Sequence, residues 1–386
     1  MSDPYANRPE RPDSSAALAE SRELMDEFAR STGLVSAQPP RRYLWTDAYA
    51  VCNYLGLREA TGEEEYLELA LRLVDQVHRT LGRHREDDAR EGWISGLPEA
   101  EGEQHPTAGG LRIGKPLPER KPGEPYDRRM EWERDGQYFH YLTRWMHALR
   151  RVWRVTGDAE YHRWGVELGH AAIRGFARTD GGERRLHWKM SINLSRPLVP
   201  STGQHDPLDG YLTVSLLRET APEGRHDVLA PELHLLRKMV ERERGSWATS
   251  DALGAGGLLV DAYRSLQLRA QDRPTALRGV TNLPEELIDE SLRSVAAVAG
   301  SGFRRLSADR RLAFRELGLS IGLGAVERMA ELTSARPMER YLPLRDEIHR
   351  FWLDPHHRRA ETWTGHRDIS RVMLATSLAP GGYLDL

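Results

Sequence analysis

Six short segments gather carboxylates, histidines, glutamines and tryptophans just before or inside the start of an apolar run. "RRYLWTDAYAV" carries Arg42, Trp45 and Asp47, and "EWERDGQYFHY" carries Trp132, Glu133, Asp135, Gln137 and His140. "STGQHDPLDGYL" brings Gln204, His205, Asp206 and Asp209, and "SWATSDAL" brings Trp247 and Asp251. "AFRELGL" adds Arg315 and Glu316, and "ETWTGHRDISR" adds Trp363, His366 and Asp368. This mixture suits carbohydrates. Indoles stack on the apolar C–H faces of sugar rings, while carboxylates, Gln and Arg bind the rim of hydroxyls.

Two chemistries fit such a set. In glycoside hydrolysis a protonated carboxyl gives its proton to the leaving oxygen while a second carboxylate activates water, with ~6.5 to 9.5 Å between them in an inverting enzyme. Asp47, Glu133, Asp135, Asp206, Asp209 and Asp251 form the pool. Asp135 and Asp206 are the expected catalytic pair, because each stands at the immediate start of an apolar run beside a Gln or His. In epimerisation or isomerisation, histidines titrating near neutrality would remove and return a proton beside a carbonyl, and His140 and His366 are the candidates. The expected binding residues are Trp45, Asp47, Trp132, Glu133, Gln137, His187, Lys189, Gln204, His205, Asp209, Trp247, Asp251 and Trp363.

His205 and Asp209 also have the i, i+4 spacing of two metal ligands, with His187 or Asp206 within reach of joining them. Pro207 between them reads instead as a helix-start signal, so no metal is expected. Neither a Walker A sequence nor a GxGxxG fingerprint occurs, and "DPLD" is a lone DxxD of little specificity. No cofactor is expected.

Apolar spacing at i, i+3, i+4 and i+7 predicts about twelve helices, near 14–32, 43–57, 63–81, 134–153, 158–176, 205–218, 229–244, 250–268, 284–299, 310–331, 338–353 and 367–378. "REATGEEEYLELALRLVDQVHRTL" and "WRVTGDAEYHRWGVELGHAAIRGF" repeat one register: Thr61-Gly62 matches Thr156-Gly157, and Glu65-Tyr66 matches Glu160-Tyr161. Glycine ends one helix in a left-handed cap, and the acidic residues after it favour the positive end of the next. The unit is a helical hairpin. Helices near 43, 134, 205, 250, 310 and 367 start from the segments rich in Trp, His and acids. Two of them carry glycines, Gly254, Gly256 and Gly257 in one and Gly318, Gly322 and Gly324 in the other. Glycine costs ~1 kcal/mol in a helix interior, which close backbone packing would offset. These are inner helices; the amphipathic alternates, with one charged face, are outer ones.

Six inner and six outer helices in alternation predict an all-α (α/α)6 toroid, one domain over residues 1–386 with 1–13 disordered or extended. The layout, with "TGEEEYLELA" and "TGDAEYHRWG" as hairpin junctions, resembles the six-hairpin glycosidase-like superfamily. "GQYFHYLTRWMHALRRVWRVTGD" and "TGHRDISRVML" are loosely similar to the histidine-bearing segments of the N-acylglucosamine 2-epimerase barrels. The resemblance implies that the starts of the inner helices meet at one mouth, and that the mouth acts on a saccharide: by hydrolysis first, by epimerisation second. A non-catalytic toroid that binds a glycan or protein is the rival from another class, and an open solenoid the rival architecture. Residues 82–131 form a long insertion expected to cover the mouth. "RLHWKMSINLS", 185–195, alternates strictly and predicts a strand, part of a short β-hairpin or strand pair, with His187 and Lys189 on a polar face.

Bulk properties narrow the partners. Basic and acidic residues number 55 and 58, and the basic ones are scattered, which argues against nucleic acid. No segment approaches the ~20 apolar residues of a membrane span, and the N-terminus lacks the pattern of a secretory signal. Cys52 is the only cysteine, so an intramolecular disulfide is excluded. A soluble cytoplasmic protein is the expectation, with its oligomeric state left open.

Overall fold

A computed structural model describes residues 14–385 apart from 224, 226, 271–279, 281 and 330–335. The expectation for residues 1–13 lies outside the described residues. Twelve long helices run through the described chain. They are α1 (Ser14–Ser31), α2 (Leu44–Thr61), α3 (Glu65–Leu81), α4 (Phe139–Thr156), α5 (Ala159–Phe176) and α6 (Asp206–Glu219). The series continues with α7 (Ala230–Glu243), α8 (Ala252–Arg269), α9 (Leu283–Gly300), α10 (Ala313–Met329), α11 (Leu342–Leu353) and α12 (Arg367–Leu378).

The even-numbered helices are the inner ones. Each packs on the next, and α12 returns against α2, so the six close into a ring; the odd-numbered helices each back an inner one from outside. The last hairpin is completed by the start of the chain, because α1 packs on α12. The two character classes follow from this. Nearly all of α2 is buried, whereas α3 buries the stripe Tyr66, Leu69, Leu73, Val77 and Leu81 and leaves its other face to water.

The repeated junction is the same down to individual atoms. Gly62 and Gly157 both have positive φ, 75° and 71°, and their N–H groups close the helices onto Arg58 O and Trp153 O. In each, the preceding threonine hydroxyl bonds the carbonyl four residues back and accepts the N–H two residues on, from Glu63 and from Asp158. The glycine argument also holds between α8 and α10. A Cβ on Gly256 would lie 2.1 Å from Gly318 O, and one on Gly322 would lie 2.6 Å from Gly256 O, so the two backbones touch only because side chains are missing.

Two boundaries differ from the expectation. Residues 134–138 do not begin α4; Gln137–Tyr138 form a short strand, β1, which pairs antiparallel with Lys189–Met190. The strand expected over 185–195 is accordingly broken: Ala177–Asp180 (β2) pairs with Glu183–Leu186 (β3), and Lys189–Met190 is a separate β4. Its polar row is not at the surface. His187 and Lys189 are as buried as Leu186 and Met190, because the insertion covers one side of the segment and the helices the other.

The far end of the ring is shut by the C-terminal turn Gly381–Leu384. Tyr383 stacks on Tyr49 with ring centroids 4.4 Å apart, meets His147 edge-on, and its carbonyl accepts from or faces His147 Nε2 at 2.9 Å. The ring is thus a well with one open end.

Candidate active site

Just before α4 the chain is fastened to the insertion. Asp135 is completely buried; it accepts from Arg112 at 2.6 Å and from the N–H groups of Gly114 and Gly136, both at 3.0 Å, with Arg85 at 3.5 Å. The Gln137 amide is likewise buried among backbone groups, accepting from Leu111 N–H and donating to the carbonyls of Gly109 and Ile192. Lys189 donates to Glu131 and to the carbonyls of Glu131 and Arg134. These three expected site residues therefore hold the insertion against the ring, and every polar atom that would meet a ligand already has a partner.

The start of α6 is different. Asp206 Oδ2 is buried with no hydrogen-bond partner, and Oδ1 lies 3.9 Å from His140 Nδ1. Burial, with the nearby Asp209 charge adding to it, pushes the Asp206 carboxyl up to about 8 against the pull of Arg144. Loss of solvent, with the Arg144 charge adding to it, lowers His140 to about 3. Both groups are neutral at pH 7, so their contact is not an ion pair. The Asp206 carboxyl rests directly on Gly203, where a Cβ would lie 2.2 Å from Oδ2.

One turn deeper, Asp209 binds the Thr143 hydroxyl and the Arg144 guanidinium. Burial works against its charge, but Arg144 and Arg264 outweigh it and keep the carboxylate below the usual range. Asp261 on α8 has the opposite balance. Burial and the Asp209 charge raise it to about 7. Environments that push neighbouring carboxyls apart are how one site holds an acid and a base at one pH. An aromatic wall flanks these charges: Trp45 packs on Tyr49 at 4.7 Å, Tyr43 and Tyr141 join through their hydroxyls, and the His140 ring lies parallel to Trp188.

A cleft of about 1020 Å³ lies over the starts of α2 and α12, lined by Tyr43, Lys115, Glu133, His366 and Arg367 among others. The Glu133 carboxylate and Lys115 ammonium make no hydrogen bond or ion pair among the described residues. Burial, with Lys115 adding to it, lowers His366. Trp132 is exposed and meets Trp188 edge-on.

Other expected residues are placed for packing or capping. Trp247 is fully buried, and Trp363 is buried against Trp352. Asp47 pairs with Arg42 and caps Tyr43 N–H; burial first of all raises it to about 6. Asp251 caps α8 through Gly254 N–H and pairs with Arg315 at the rim. His187 is buried, and Gln204 bonds the carbonyls of Ser246 and Ala248. His205 faces Trp247 O while Asp209 turns to Arg144, so the i, i+4 pair does not converge; among the described residues no group of three metal-ligating side chains does. Sequence reasoning missed Arg144, Lys115, Trp188, Asp261 and Arg264. The signal for Arg144 was present, since it stands one turn below His140 on the same helix face.

No protein-family model and no curated protein matches the chain. Solved structures do. An alpha-1,6-mannanase from a Salegentibacter species matches over 95% of this chain and 99% of its own, with TM-score 0.55 and 12% identity. It is an inactive variant, two consecutive aspartates changed to alanine, in complex with alpha-1,6-mannotetrose. A D-mannose isomerase matches over 95% and 96%, with TM-score 0.52 and 10% identity. A sugar epimerase from a ruminal bacterium matches over 93% and 98%, with TM-score 0.50 and 10% identity. The chain shares the all-α (α/α)6 fold of these structures, as the alternation of inner and outer helices implied. No described helix is long and apolar enough to cross a membrane.

Proposed function

We propose that this protein hydrolyses a glycosidic bond at the open end of the ring, with Asp206 as general acid and Glu133 as the carboxylate that activates water. The observation that carries the reading is Asp206. It is a carboxyl at the mouth, unpartnered at Oδ2 and raised to about 8, and so holds at pH 7 the proton that a leaving oxygen needs. Glu133 supplies the complement, an exposed carboxylate with no ion pair that lines the cleft over the starts of α2 and α12.

The consecutive aspartates of the mannanase have no counterpart at this mouth. The one such pair here, Asp87 and Asp88, lies in the insertion, with Arg85 holding the first and Arg90 the second. The acid is therefore assigned from its surroundings and not carried over. Epimerisation ranks second on the same ground. A proton-abstracting histidine works best near pH 7, and His140, lowered to about 3, is a poorer acceptor than an ordinary imidazole.

The test is incubation with alpha-1,6-linked manno-oligosaccharides, other oligosaccharides and free hexoses in D2O, followed by NMR. Hydrolysis gives new reducing ends, whose formation Asp206→Asn slows by orders of magnitude. Exchange of a carbon-bound proton without cleavage would favour the epimerase, and binding without either would favour the non-catalytic toroid.

A further inference from the structure

Helix α8 contains a glycine that no packing explains. Gly254 is crowded by Thr249, and Gly256 touches the α10 backbone, but a Cβ on Gly257 would meet nothing within 4 Å. Gly257 is in the right-handed helix interior, so its conformation does not require glycine, and alanine there would favour the helix. The residue is also partly exposed. Space is therefore open beside it on this face of the helix. One turn deeper on the same helix face stand Asp261 and then Arg264, the spacing i, i+4 and i+7.

Those two residues carry buried polar atoms that no hydrogen bond of the chain satisfies. Asp261 is 2% exposed and its Oδ1 has no hydrogen-bond partner; Arg264 is 1% exposed and none of its three guanidinium nitrogens has one. Arg264 stays at ion-pair distance from Asp209 and Asp261, 3.6 and 3.8 Å, and lies over the Tyr383 ring. Buried polar groups without partners are rare because each forfeits its hydration. Space at Gly257, with unsatisfied donors and an acceptor directly beneath it, is complementary to a ring bearing several hydroxyls.

We propose that Gly257, Asp261 and Arg264 form the inner end of the saccharide site. This end takes the hydroxyl rim of a chain-terminal or free sugar ring. Tyr383 closes the well below, so a chain cannot pass through, and the enzyme removes residues from an end instead of cutting inside. The inference rests on the hydrolase reading above and fixes its mode of attack.

The decisive substitution is Gly257→Ala, measured by thermal unfolding and by calorimetric titration of the full chain with D-mannose and alpha-1,6-mannotriose. The added methyl should raise Tm by about one or two degrees through helix propensity while weakening sugar binding severalfold; Gly257→Leu should weaken it tenfold or more. A packing role cannot produce those opposite signs. Product analysis on alpha-1,6-mannotetraose should show mannose and the trisaccharide from the first turnover; the disaccharide as first product would overturn the end-on mode. If Gly257→Ala lowers Tm, or both variants bind sugar as the parent does, this inference falls. In that event, cleavage that Asp206→Asn still slows by orders of magnitude leaves the hydrolase reading standing. If no sugar of the wider panel binds the parent protein, both readings fall together.

Discussion

The starts of α4 and α6 present the same sequence signature, an aspartate beside a Gln or His at the head of an inner helix, and the fold uses them in opposite ways. Asp135 receives two arginines and two backbone N–H groups, and fastens the 82–131 insertion to the ring. Asp206 receives no donor on Oδ2 and keeps its proton. Both are buried; what separates them is supply of positive charge and N–H groups. Desolvation alone raises a carboxyl, and hydrogen bonds to the charged form offset it.

The comparison is easiest to break through activity. Asp206→Asn keeps the shape of the side chain but cannot donate a proton as an acid does, so turnover should fall by roughly 10²- to 10⁴-fold with KM little changed. Equal turnover by this variant would remove Asp206 from the mechanism. Asp135→Ala should act on stability. It leaves Arg112 buried without its carboxylate, for which a loss of about 3 to 5 kcal/mol in urea unfolding is expected. A loss below about 1 kcal/mol would mean that the insertion is fastened elsewhere.

Stability against pH separates the same two sites. The folded Asp206 carboxyl titrates at about 8, far above an unfolded aspartate near 3.9. Between those values the folded state holds a proton that the unfolded state has released. Its contribution to stability is thus full below about pH 4 and falls by up to ~1.4 kcal/mol per pH unit until about pH 8. Asp206→Asn should flatten that part of the profile. The activity of the parent should also decline above pH 8, as the acid loses its proton.

The fold was legible where its signals are local. Thr61-Gly62 and Thr156-Gly157 mark hairpin junctions because the cap is made by residues within five positions of each other. Gly256 and Gly322 mark a close approach because a helix tolerates them only for a reason. The site was legible as a place and less so as residues. Trp247 and Trp363 have the same composition as a sugar platform, yet the core claimed them, and alternation in "RLHWKMSINLS" reveals two faces without revealing that both are covered. Arg144, Asp261 and Arg264 come together only when the ring closes. Nothing within one helix says that α4, α6 and α8 will share their charges.

The smallest expected effect tests the comparison most finely, because each aspartate also rests against a glycine. Gly114, which donates to Asp135, has φ +90° and its missing Cβ would lie 2.2 Å from Arg42 O; alanine there meets fixed backbone and should destabilise the fold markedly. Gly203 has an ordinary φ, and the three atoms nearest to a Cβ there all belong to the Asp206 carboxyl, Oδ2 at 2.2 Å. That carboxyl is held by no hydrogen bond at Oδ2, so it can turn aside. Gly203→Ala should therefore change stability by only about 1 kcal/mol or less, while moving the acid from its position. Turnover should drop about tenfold, and the alkaline limb of the activity profile should shift below pH 8 as the displaced carboxyl meets more water. An unchanged limb would mean that the contact with Gly203 does not set the position of the acid.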